Sequence, residues 1–195
     1  RAMRQEVEII QRLHHPSIVA FEDNFVEDDC LYIVMELVQG RSLGQYLTSV
    51  AEKGRRLSEE RIWRLFVQIV QALHYMHREQ QIVHRDLTPN NVLLDEATDR
   101  HEPRVKVADF GLARAKTQQL GSSMSQSHLE SMVMQSVVGT VLYTCPEIVQ
   151  NRPYGEKADV WSLGCILYQL ATLRPPFEGS NPLSVAHMIV EGHYR

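Results

Sequence analysis

The chain is expected to adopt an α+β fold, on three observations. Short apolar runs, Ile82-Val83, Val92-Leu93-Leu94 and Val105-Lys106-Val107-Ala108, are set between polar loops and read as strands. Residues 58–76 instead repeat apolar side chains at helical spacing, through Ile62, Phe66, Ile69, Leu73 and Met76. The 195 residues, 44% hydrophobic and 23% charged, suffice for one sizeable core or a domain and a fraction.

Composition narrows the function classes. The net charge is -4 and no basic run stands out, so nucleic acid is not an expected partner. Cys30, Cys145 and Cys165 are odd in number and widely spaced. That pattern suits a reducing compartment and argues against a disulfide framework or a zinc site. No leader peptide or membrane-spanning run is read in the sequence, so the expected setting is intracellular, cytoplasmic or nuclear, away from membranes. The chain begins without Met inside a helical pattern and reads as a piece of a longer protein.

Taken in order, residues 4–13 place Val7, Ile10 and Leu13 on one helix face, with a stop before His15-Pro16. Ile18-Val19-Ala20-Phe21 and Leu31-Tyr32-Ile33-Val34-Met35 follow as strands joined by the acidic turn Glu27-Asp28-Asp29. Gly40, Ser42 and Gly44 mark a loop and a cap into a short helix over 42–50. Ser58 caps the next helix, with Glu59 and Glu60 at its positive end. The apolar stripe of that helix is core packing. His74 and His77 lie one turn apart and could share a metal, but no third ligand is near, which favours ordinary boundary histidines. Residues 95–104 form a polar surface hairpin, and residues 115–136 a polar low-complexity stretch too poor in core formers to order itself. Residues 159–170 are apolar nearly all round, as in a buried helix, until Pro175-Pro176-Phe177 stops it. A last helix begins over 181–190.

The chemistry concentrates in residues 82–94. Asp86 and Asn91 sit five residues apart in a polar loop rigidified by Pro89. Such a loop can hold a carboxylate at a reacting hydroxyl while an amide oxygen reaches a metal ion. Asp109 ends the strand at 105–108, and Gly111 after it permits a sharp turn. Two hard oxygen donors from separate segments suit Mg²⁺, which takes its remaining ligands from water and phosphate.

His84-Arg85-Asp86 with Asn91, followed by Asp109-Phe110-Gly111, closely resembles the protein kinases. The resemblance implies a two-lobe fold with residues 1–38 as the remainder of the N-lobe and hinge, and 39–195 as an incomplete C-lobe. It implies transfer of the ATP γ-phosphate to Ser or Thr hydroxyls of protein substrates, with Tyr acceptors also open. Asp86 would accept the hydroxyl proton, and Asn91 and Asp109 would hold Mg²⁺. Glu6 would pair with a strand lysine that, like the glycine-rich loop, is expected upstream of Arg1. Met35 would limit the depth of the adenine pocket, the backbone of Glu36 and Val38 would bond adenine, and Leu93 would line the same site. Ser136 and Thr140 would be regulatory positions of the activation loop, modified by an activating kinase or by the enzyme itself, with Arg85 meeting the phosphate. Asp159 would tie its helix to the catalytic-loop backbone.

Leu87-Thr88-Pro89-Asn90-Asn91, Cys145-Pro146-Glu147 and the run Pro153 to Trp161 resemble the NIMA-related kinases in particular. Three departures stand out: Thr88 where serine/threonine kinases usually carry lysine, Cys145 where Ala is usual, and Ser42 where many relatives place an acid for the ribose. The alternative expectation is a non-catalytic pseudokinase, or a truncated kinase acting as a protein-interaction scaffold.

Overall fold

The structure, a computed structural model, describes residues 7–97, 103–110, 113–115 and 140–194. Residues 7–10 are helical (α1) and bury Val7, Ile9 and Ile10, with Leu13 buried just beyond. The strand expected at Ile18–Phe21 lies elsewhere. Ile18 and Val19 are buried beside Val107: Val19 N–H donates to Val107 O (2.9 Å) and Val107 N–H to Ser17 O (2.9 Å). Two apolar side chains with a buried partner across the molecule are thus taken out of the local hairpin. The hairpin begins at Phe21 instead. Its strands β1 (Phe21–Glu27) and β2 (Cys30–Met35) pair antiparallel around Asp28 and Asp29, both left-handed (φ 49° and 58°). Aspartate tolerates that region, and a two-residue turn of this hand matches strand twist.

β3 (Gly40–Ser42), β5 (Val92–Asp95) and β6 (Arg104–Val107) make an antiparallel sheet in the order β3-β5-β6. Gly40 is required there, because a Cβ would collide with the Leu94 carbonyl oxygen. β4 (Ile82–Val83) pairs with β7 (Arg114–Ala115), so the loop from 84 to 91 is held at both ends by sheet. The short strands β3 and β7 leave no periodic signal and escape a sequence reading.

α2 (Leu43–Glu52) opens with a capping box in which the Ser42 hydroxyl accepts from Gln45 N–H and the Gln45 side chain accepts from Ser42 N–H. α3 (Glu59–His74) is capped by Ser58 and runs into one π-helical turn, Tyr75–Glu79. Its expected stripe is inside: Ile69, Leu73 and Met76 are buried, and Ile62 and Phe66 pack against the core. After a 3₁₀ turn (Thr140–Tyr143) come α4 (Pro146–Val149), α5 (Lys157–Thr172) and α6 (Pro182–Glu191).

α5 is not buried all round. Ala158, Asp159, Ser162, Cys165, Ile166 and Leu170 face inward, while Val160 is 47% exposed. Its apolar content exceeds what its neighbours cover. Leu173, left-handed at φ 64°, ends the helix ahead of Pro175, and Phe177 returns to stack on Trp161 at 5.8 Å. α3 and α5 pack on each other under the 84–91 loop, within one contiguous core. Cys145 and Cys165 are buried free thiols, each pushed up to about 12 by burial, and Cys30 is an exposed one. Among the described residues no helix is long and apolar enough to cross a membrane.

Candidate active site

The loop between β4 and β5 rests on a buried carboxylate. Asp159, fully buried near the start of α5, accepts from His84 N–H through Oδ2 (2.8 Å) and from Arg85 N–H through Oδ1 (2.8 Å). His77 Nε2 lies 2.7 Å from the same Oδ2. The carboxylate fixes a turn in which Arg85 is left-handed (φ 74°), a conformation a long side chain adopts only when its surroundings impose it. His84 is itself buried, 5.2 Å from the Phe110 ring, with Nε2 at 3.2 Å from Ala108 O and Nδ1 at 3.3 Å from Asp86 N. One tautomer serves both contacts: Nε2–H donates to Ala108 and Nδ1 accepts from Asp86. His84 thereby ties the loop to the segment that carries Asp109.

Above that floor Asp86 is less completely bonded among the described residues. The Asn91 amide nitrogen donates to Asp86 O (2.8 Å) and to Asp86 Oδ2 (3.1 Å). Asp86 Oδ1 is buried with no hydrogen-bond partner among the described residues. Burial holds the Asp86 carboxyl above its ordinary range; His84 opposes the rise, Asp109 adds to it and the Asn91 bond opposes it. Asp109 is exposed, with φ 61°, and lines a cavity of about 680 Å³ together with Asp86, Thr88, Asn91 and Gln169. Thr88 is buried at 6% exposure.

The donors fit a hard divalent cation in part. Asn91 and Asp109 supply an amide oxygen and a carboxylate to one cavity, and among the described residues no group of three His, Cys, Asp or Glu could hold a metal. An ion here would complete its shell with water and phosphate oxygens, as Mg²⁺ prefers.

A second cavity of about 510 Å³ is lined by Val38, Gly40, Ser42 and Leu93, and shares Gln45 and Asn90 with the first. The expected nucleotide residues therefore divide: Asn91 and Asp109 line the first space, Val38 and Leu93 the adjoining one. Met35 and Glu36 line neither. Met35 packs against the core. Glu36 N–H donates to Ala20 O (2.9 Å), and its carboxylate accepts from Ala20 N–H (2.9 Å) and Lys106 Nζ (2.5 Å).

Glu6 and Ser136 lie outside the described residues, and for Thr140 only the backbone is described, at the start of the 3₁₀ turn. The Arg85 guanidinium sits 4.8 Å from the ring centroid of Tyr154, a cation–π contact absent from the sequence reading. His74 is exposed and His77 buried on Asp159, so the two do not share a metal site. His77 is a supporting residue that the sequence suggested only as an ordinary boundary histidine. Its partner is 82 residues away, and no local pattern announces it.

Comparison with known proteins places this arrangement. The protein kinase domain family matches residues 1–194. The chain is 49% identical over 195 residues to human serine/threonine-protein kinase Nek10, spanning 100% of this chain and 15% of that protein. Mouse Nek10 is 50% identical over 186 residues (95% and 15%), and human Nek5 is 37% identical over 193 residues (99% and 25%). The chain thus spans about 15% of the length of the Nek10 proteins it matches. Matched along nearly all its residues, and with its His84-Arg85-Asp86 loop and Asp109 gathered at one cavity, the chain belongs to the protein kinase domain family.

Proposed function

We propose that this site transfers the γ-phosphate of ATP to a hydroxyl of a protein substrate, within a longer parent protein. One observation carries the reading: Asp86, whose Oδ1 is buried with no hydrogen-bond partner among the described residues, shares a cavity with the Asn91 amide and the Asp109 carboxylate. An acceptor hydroxyl bonded to Asp86 Oδ1 would fill its open position. Asp86 would then take the hydroxyl proton as the oxygen–phosphorus bond forms and ADP leaves, with its raised affinity for protons suited to a general base. Asn91 and Asp109 would hold Mg²⁺. Bound Mg²⁺-ATP supplies the phosphoryl group and the cation that offsets its charge; the chain's own part is positioning and electrostatic complementarity.

Val38 and Leu93, with the Glu36 backbone and Met35 behind them, would surround adenine. Glu6 would orient the phosphate-binding lysine of the parent protein, and Ser136 and Thr140 would be its regulatory hydroxyls, with Arg85 as the phosphate partner. Thr88 brings a short neutral side chain where serine/threonine kinases usually place a cation. We read it as widening acceptor choice toward Tyr or slowing transfer.

The test is phosphotransfer from Mg²⁺-ATP to Ser, Thr and Tyr peptides by the full-length protein. Asp86→Asn is expected to lower the rate by about 10²-fold or more, the usual share of a positioned base. Asp109→Asn should raise the Mg²⁺ requirement as well. An intact protein without transfer, even after loop phosphorylation, would overturn the reading in favour of a non-catalytic scaffold. If Thr88→Lys left both rate and acceptor preference unchanged, Thr88 would have no part in acceptor choice.

A further inference from the structure

Lys106 is a lysine placed inside the molecule. It sits in β6 between Val105 and Val107, both without exposed surface, and its own side chain is 12% exposed. Lysine is seldom this covered unless a carboxylate meets it. The partner is Glu36, the first residue beyond β2, whose Oε1 accepts from Lys106 Nζ at 2.5 Å. Glu36 Oε1 also accepts from Ala20 N–H (2.9 Å), and Glu36 N–H donates to Ala20 O (2.9 Å).

Three chain segments close into a ring here. Residues 17–20 are bonded to β6 through Ser17 and Val19, which meet Val107, and to the end of β2 through Ala20. The ion pair joins the remaining two sides, β6 and the residue that follows β2. Without it, the bonds made by Glu36 would reach β6 only by way of residues 17–20. A charged bond to β6 is the stiffer link, since that strand is paired along its length with β5.

The ring adjoins the proposed nucleotide site. In the β5–β6 register Lys106 stands opposite Leu93, which lines the cavity of about 510 Å³ together with Val38. Glu36 lines no part of that cavity; its carboxylate is turned to Ala20 and Lys106. The side chain thus holds the backbone, and the backbone is what would meet adenine.

We propose that Lys106 is a positioning residue for the nucleotide: through the Glu36 carboxylate it fixes the 36–38 backbone against which adenine is read. This rests on the reading of that backbone as the adenine-binding stretch. Lys106 lines neither cavity of the candidate active site, so it would act on recognition of the base and leave the transfer step alone. The adenine 6-amino group donates to a backbone carbonyl, whereas guanine carries an acceptor at the same place. A carbonyl held in position therefore rejects guanine, and one free to shift loses part of that discrimination.

The test compares ATP and GTP as phosphoryl donors for the full-length protein, with binding of fluorescent ADP and GDP measured in parallel. Lys106→Met is expected to raise the KM for ATP and the Kd for ADP about fivefold, the worth of one hydrogen bond. The values for GTP and GDP should move little, so the preference for adenine falls by about the same factor. The kcat at saturating ATP should change less than about twofold. Lys106→Arg, which keeps a charged bond to Glu36, should restore most of the preference. Glu36→Gln keeps the Ala20 contact and loses the charge, and should fall between the two; it carries the test if Lys106→Met folds poorly. An unchanged adenine preference in Lys106→Met and Glu36→Gln would overturn the proposal. So would an equal loss with both nucleotides, which would assign the ion pair to general stability. A protein that binds ADP with these shifts but transfers no phosphate would overturn the phosphotransfer reading and leave Lys106 its role. Absence of ADP binding would overturn both.

Discussion

Asp159 and Asp86 lie on the two sides of one loop and are treated oppositely by the fold. Below the loop, Asp159 has no exposed surface and both its oxygens are bonded, to two backbone N–H groups and the His77 ring. Above it, Asp86 shares one oxygen with Asn91, and its other oxygen is buried and unmatched among the described residues. Of the two, only Asp159 has both of its carboxylate oxygens bonded among the described residues. A buried carboxylate oxygen left open beside a cavity points to a ligand or to chemistry. The difference separates a carboxylate that builds the loop from the one proposed to act in it.

The strongest way to break this comparison is Asp159→Ala. It strands two backbone donors and a ring nitrogen in a buried place, and should cost about 3–5 kcal/mol, the range for removing one partner of a buried charged contact. Urea unfolding would measure it, and a loss below about 1 kcal/mol would mean that water replaces the carboxylate. Gly40→Ala comes next, since its Cβ meets a backbone carbonyl that cannot rotate away. An overpacking cost of about 1–3 kcal/mol is expected, read as a lower Tm. Stability unaltered by that change would show that β3 yields independently of β5.

The smallest effect carries the opposite sign. Asp86 has its proton affinity raised by folding, so the folded state binds a proton more tightly than the unfolded chain. The charged form is therefore the one that opposes folding. Its penalty is absent below the ordinary carboxylate range and grows as pH rises through the elevated folded value. Asp86→Asn should stabilise the protein slightly at neutral pH, with the gain vanishing in acid, while transfer falls as proposed above. A gain independent of pH would place the effect on packing instead. Transfer by the unaltered protein should fall as pH drops through the same elevated value.

Features with a local cause were legible in the sequence. Ser42 and Ser58 cap their helices as their side-chain chemistry suggests, and the α3 stripe lies in the core. The two aspartates and Asn91, picked out by their motifs, line one cavity. What was lost depends on distant partners. Ile18 and Val19 left the expected strand for Val107, His77 found Asp159, and Lys106 found Glu36 70 residues away. The left-handed Arg85 was equally invisible, because nothing in an arginine side chain favours that backbone; Asp159 imposes it.

The three thiols have a practical consequence. Cys30 is exposed, while Cys145 and Cys165 are buried and kept protonated by their surroundings, so an alkylating reagent meets one nucleophile in the folded chain. Cys145 caps the short segment α4, and Cys165 lies inside α5. A maleimide mass tag on Cys145 would therefore time the opening of that segment, and a tag on Cys165 the opening of the core. The protein carries its own clock for the order in which its parts come undone.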